Sequence, residues 1–145
     1  MMKSLIAILA TVGLAGTATA QTIVGEVGNW TVDQTDITII NGEKTVENSS
    51  LTECWPTLEY TTLRIADLVP EGCSLEGTEQ SETGMSSNLS CVINGGKFQG
   101  RVDARRFLDG QAMGWSLSLW SGIDDDGTKD VISSNYSIAK RVGAC

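Results

Sequence analysis

Four cysteines, Cys54, Cys73, Cys91 and Cys145, are the residues of this chain whose type and number promise chemistry. Four thiols can hold a zinc ion or close two disulfides. Zinc sites draw their cysteines in close pairs such as C-x-x-C, usually with histidine. Here no such pair exists, and the 145-residue chain has no histidine. Disulfides are the reading left, expected of an even cysteine count in an exported chain, and four cysteines permit three pairings. The missing histidine also excludes Ser-His-Asp and Cys-His nucleophile systems, and oxidised cysteines supply no thiolate. Any two of the 18 acids could converge as a glycosidase-like pair, but no spacing favours one. Phosphate-cradling G-x-x-x-x-G-K-[ST] loops are absent, so no cofactor is expected.

Three other groups carry charge or contact chemistry. The turn Ile123-Asp-Asp-Asp-Gly-Thr-Lys-Asp130 offers Asp124, Asp126 and Asp130 to calcium. An EF-hand loop in that register would begin at Gly122 and end at Ser133, where acids are required, so a charged hairpin turn is expected instead. Lys97, Arg101, Arg105 and Arg106 form a basic cluster that could take an anionic headgroup or glycan, or pair with neighbouring acids. Trp120, among small residues, is a candidate contact surface, or is covered equally well by a second layer or the helix. Asn-x-Ser/Thr triplets at Asn29, Asn48, Asn88 and Asn135 fit chance occurrence in Ser/Thr-rich strands.

The elements that must position these residues read mostly as strands. Phe98, Gly100, Val102 and Ala104 alternate with polar residues, as do Met113, Trp115, Leu117 and Leu119, across a turn at Leu108-Asp109-Gly110. Period-2 alternation puts one face in a core and the other in water. On the inner face Phe98, Trp115 and Leu117 are expected to line ligand space, with Gly77 and Gly100 leaving room. Arg101 and Arg105 fall on the polar face, and Trp120 points away from Trp115 and Leu117.

Earlier in the chain, Trp30 and Val32 share one face and Ile37 and Ile39 the other parity, which predicts a bulge near Thr35. Asn41-Gly42 predicts a hairpin into a polar edge strand over about Glu43 to Thr52. Pro56 and the recurrence of Leu58, Thr62, Ile65 and Leu68 predict one short helix, ended by Pro70 and Gly72. After it come a strand over Cys73 to Thr78, a polar turn around Ser81-Glu82-Thr83-Gly84, a strand over Asn88 to Ile93, the Asn94-Gly95-Gly96 turn into the central hairpin, and a last strand, about Asp130 to Val142, with Ile132, Tyr136 and Ile138 on one face. Consecutive hairpins lie side by side, so the expected fold is mainly β. It is an up-and-down antiparallel meander of about seven strands, curled into a half-barrel or small barrel, with one short helix. Cys73 and Cys91 then sit on adjacent strands and should pair, which leaves Cys54 for Cys145.

Residues 1–20 carry Lys3, an apolar run from Leu5 to Leu14 and Ala18-Thr19-Ala20, the three parts of an export signal cleaved before Gln21. Residues 21–145 then form a single disulfide-stapled domain in the periplasm or outside the cell, long enough to bury roughly two-thirds of its unfolded surface. No later apolar run reaches the ~18 residues of a spanning helix. Losing Lys3 takes the net charge from −8 to −9, which argues against nucleic-acid or anionic-membrane binding through a general field; the charge fits ordinary solubility first and attraction of a basic protein second.

In the order of its landmarks the chain resembles a known family. A leader precedes Gly28-x-Trp30-x-Val32 and a Cys54-Trp55-Pro56 step into a helix. A Cys73 and Cys91 strand pair leads into a glycine-rich meander that closes on Arg141-x-Gly143-x-Cys145. This is similar to the exported bacterial proteins grouped as domain of unknown function 3617, over nearly all of residues 21–145. The family often has Cys-Leu-Thr-Pro where Cys54-Trp55-Pro56 stands. The resemblance implies export but brings no catalytic residues. A small apolar or amphiphilic ligand on the curled sheet is the leading expectation. An acidic protein-binding module of the cell envelope comes second, and an enzyme third.

Overall fold

The computed structural model describes residues 22–40, 42–123 and 129–145. The leader, the predicted cleavage before Gln21, Asn41 and the acidic turn at 124–128 lie outside the described residues, as does the side chain of Asp130. A two-stranded sheet pairs β1 (Thr22–Val24) with β4 (Thr62–Arg64), and a seven-stranded antiparallel sheet forms the body of the protein. The latter runs β3 (Glu43–Trp55), β2 (Gly28–Ile40), β9 (Lys129–Gly143), β8 (Ala112–Ile123), β7 (Gly96–Phe107), β6 (Gly84–Ile93), β5 (Cys73–Gln80). It is the expected meander with the first hairpin added beside the last strand. The sheet does not close: β3 and β5 are its edges. No described helix is long and apolar enough to cross a membrane.

Local chemistry accounts for the turns. Ile93 pairs with Gly96 across a two-residue loop, and both loop residues, Asn94 (φ 51°) and Gly95 (φ 79°), take the left-handed conformation that a type I′ hairpin demands. Ile40 pairs with Glu43 around the predicted Asn41-Gly42 turn.

The inner face is marked by its buried residues. Trp30, Met85, Leu89, Cys91, Val102, Ala104, Met113 and Ala139 meet there, capped by Ile23 of β1 and Ile65. Helical spacing predicted one helix over Leu58–Leu68; the chain instead makes two single turns, α1 (Leu58–Thr61) and α2 (Ile65–Leu68), with β4 between them. Thr62 already has extended φ/ψ of −91° and 116°. Its β-branched side chain gives up little helix propensity, and β4 gains a strand partner in β1. Leu58 is consequently 61% exposed, outside the core that the helical stripe assigned to it.

One parity expectation is overturned. β2 pairs with β3 in unbroken register from Gly28 to Ile40, so no bulge lies near Thr35. The irregularity against β9 falls at Asn29/Trp30 instead. In β9, Ser137 and Ala139 are buried while Tyr136 and Ile138 are each 44% exposed. Tyr136 and Ile138 therefore share a face, as expected, and it is the outer one.

Candidate functional site

Both predicted disulfides are present: Cys54–Cys145, with Cα atoms 5.7 Å apart, and Cys73–Cys91, with Cα atoms 4.0 Å apart. Cys73 lies directly opposite Cys91 in the β5–β6 ladder. The other bridge ties the exposed strand β3 to the chain end beyond β9. All four thiols are consumed, and disulfides belong to an oxidising compartment.

Phe98, Trp115 and Leu117 face inward, partly buried against the core together with Val32 and Leu119. Gly100 does not open space beside them. A Cβ there would stand 2.6 Å from both Leu119 Cδ2 and the Ser118 carbonyl oxygen, so the glycine admits close packing. Gly77 lies in the open, with nothing within 4 Å of such a Cβ. Clefts of about 340, 420 and 310 Å³ lie respectively beside Met85 and Arg105, beside Val69 and Leu75, and beside Cys54 and Arg141. None of these three is lined by Phe98, Trp115 or Leu117.

Two of the four cations in the basic cluster are spent on neighbours. Arg101 Nε contacts Asp103 Oδ2 at 3.1 Å and its Nη1 donates to Asn88 Oδ1 at 3.3 Å. Arg106 donates to the Glu82 carbonyl at 3.4 Å. Arg105 stays exposed at the rim of the first cleft, and Lys97 is exposed on the same face. Trp120 lies opposite the exposed Gln99, on the outer face as expected, but half-buried.

What the sequence reading missed is a polar group on the inner face. Residues directly opposite one another in an antiparallel ladder share a face, and the registers place Gln34 opposite Ser137 and Ser137 opposite Trp115. In the next row Asp36 faces Asn135, and Asn135 faces Leu117. Gln34 Nε2 donates to Asp36 Oδ2 at 3.1 Å, and Asn135 Nδ2 donates to Asp36 Oδ1. A carboxylate can only accept, so both amides must turn their NH₂ groups toward it; each keeps an oxygen that can also only accept. Beside them Ser137 is 1% exposed and its buried hydroxyl has no hydrogen-bond partner. A buried polar group in that state costs about 1–3 kcal/mol.

The placement follows from parity. Unbroken even parity carries Gln34 and Asp36 onto the face of Trp30, and odd parity in β9 carries Asn135 and Ser137 onto the face of Ala139. The signal available in the sequence was the Trp30, Val32, Gln34, Asp36 progression taken without interruption. The arrangement sets an apolar wall of Trp115, Leu117 and Leu119 against a polar group on β2 and β9. No protein-family model, curated protein or solved structure matches the chain.

Proposed function

We propose that this is an exported, non-catalytic binding module that holds a small amphiphilic molecule against the concave face of its open sheet. The observation that carries the reading is the juxtaposition of half-buried Trp115, Leu117 and Leu119 with Gln34, Asp36 and Asn135. Small-molecule sites pair a mostly apolar lining with a few placed polar groups, and this face offers both. The absence of histidine and the bonding of all four cysteines support a role without covalent or acid–base catalysis. Export and membership of the domain of unknown function 3617 family are part of the same proposal. They rest on the leader pattern, Trp30, the cysteine order and the closing Arg141-x-Gly143-x-Cys145.

Native mass spectrometry of protein gently purified from its own host's envelope fraction tests the reading. A reproducible added mass, lost on denaturation, is expected. A bare mass four hydrogens below that of residues 21–145 would overturn it.

One observation favours a second reading, an acidic surface for a basic protein. β3 is exposed from Glu43 to Cys54 as an edge strand and carries Glu43, Glu47 and Glu53. Crosslinking in envelope extracts at low and high salt separates the two readings, since a charge-led partner is lost as salt rises.

A further inference from the structure

We infer that the inner-face group of Gln34, Asp36, Asn135 and Ser137 is a headgroup site for a cationic, amine-bearing amphiphile. The inference rests on the amphiphile-holding reading above and names the chemical class of its ligand.

The polar atoms determine the sign. The Asp36 carboxylate accepts from the side-chain amides of both neighbours, Gln34 and Asn135. What the group chiefly offers an incoming molecule is oxygen: the carboxylate and two amide carbonyls, beside the buried, unpartnered Ser137 hydroxyl, which can accept as well as donate. Such a set is matched by a group that brings several N–H donors and positive charge.

The surroundings agree. Glu47 lies directly opposite Asp36 on β3 and shares its face. Like charges in that relation are destabilising unless something positive joins them. The inner-face cations among the described side chains, Arg106 and Arg141, lie two and three rows from Asp36, at about 7 Å per row. Both are engaged with backbone carbonyls, of Glu82 and Val27. No protein cation therefore neutralises Asp36 from its own face among the described residues.

The apolar part of the ligand has its own surface. Leu117 stands next to Asn135 in register, Trp115 next to Ser137 and Leu119 next to Ser133, so a hydrocarbon chain lying on β8 places its polar end over Asp36. The Ser137 hydroxyl sits between Gln34 and Trp115, at the boundary of the two halves, where it can accept from the headgroup.

Titration calorimetry on the purified oxidised protein, with decylammonium, decyl sulfate, decanol and calcium chloride below any micelle concentration, tests this. Decylammonium should bind at least tenfold more tightly than decyl sulfate, and its affinity alone should fall as salt is raised. Asp36→Asn should weaken decylammonium at least tenfold, of the order expected for a charge-assisted hydrogen bond, and leave decanol within about twofold. Equal affinity for the two charged probes without salt dependence would overturn the amine assignment, while decanol binding would leave the amphiphile reading standing. Calcium binding that Asp36→Asn abolishes would overturn the assignment in favour of a metal ion. Binding of none of the probes would overturn both readings.

Discussion

Trp30 and Trp55 stack with ring centroids 5.0 Å apart and an interplanar angle of 23°, locking the start of β2 to the end of β3. Each indole N–H is spent locally: Trp30 Nε1 donates to the Glu26 carbonyl at 2.9 Å and Trp55 Nε1 to Glu53 Oε1 at 2.8 Å. The pair is fixed by its polar edges as well as by its faces. Beside it, Gly25 lies against the Trp30 ring and the Met113 methyl, so β1 is seated on the same stack.

Trp30→Ala should therefore cost about 3–5 kcal/mol, the range for deleting a large buried aromatic. Urea unfolding followed by far-UV circular dichroism reads this as a lower midpoint. A loss under ~1 kcal/mol would show that the stack does not anchor the hairpin.

The two disulfides should contribute unequally. Cys54–Cys145 spans a sequence separation of 91 and Cys73–Cys91 one of 18. Loop-closure entropy makes these worth about 4.6 and about 3.2 kcal/mol. Paired alanine replacement of Cys54 and Cys145 should lower stability more than that of Cys73 and Cys91, and it should also free β3 and the C-terminus to exchange amide hydrogens. The reverse order in denaturant melts would refute the entropic ranking.

Gly100→Ala places a methyl group 2.6 Å from Leu119 Cδ2 and the Ser118 carbonyl oxygen. Leucine can shift its methyl, but the backbone oxygen belongs to the paired strand. Overpacking of this kind costs about 1–3 kcal/mol, so a lowered thermal midpoint is expected. An unchanged midpoint would mean the β7–β8 ladder can spread there.

Ser137→Ala should act in the opposite direction on stability. It removes a hydroxyl that is buried without a partner, and relief of about 1 kcal/mol is expected. The urea midpoint should rise with an unchanged slope, while decylammonium binding weakens severalfold. Destabilisation would show that the hydroxyl is satisfied in solution.

The outer face carries its charges as ordinary surface. Arg101 is exposed and bridges Asp103 and Asn88, an arrangement worth about 1 kcal/mol or less. Arg101→Ala should leave the midpoint within that margin and leave decylammonium binding unchanged. A large loss of binding would move the ligand to the outer face.

The sequence alone determined the main-sheet strands, most of the turns and, through the layout of those strands, how the cysteines pair. These are local matters: period-2 alternation in Phe98–Ala104 and Met113–Leu119, φ-permissive residues at Asn94-Gly95, and a hairpin that sets Cys73 beside Cys91. Tertiary structure decided the rest. The helix over Leu58–Leu68 broke because β1 offered Thr62–Arg64 a strand partner, a gain invisible to helical spacing. The candidate site depends on which face of β2 and β9 turns inward, and a strand's own residues do not settle that when apolar and polar side chains occur on both faces. Ile37 and Ile39 argued for a change of parity within β2; burial of Trp30 and Ala139 imposed an unbroken one. A one-residue difference in parity moves every side chain to the opposite face, and so the packing of two core residues brought Gln34, Asp36, Asn135 and Ser137 together.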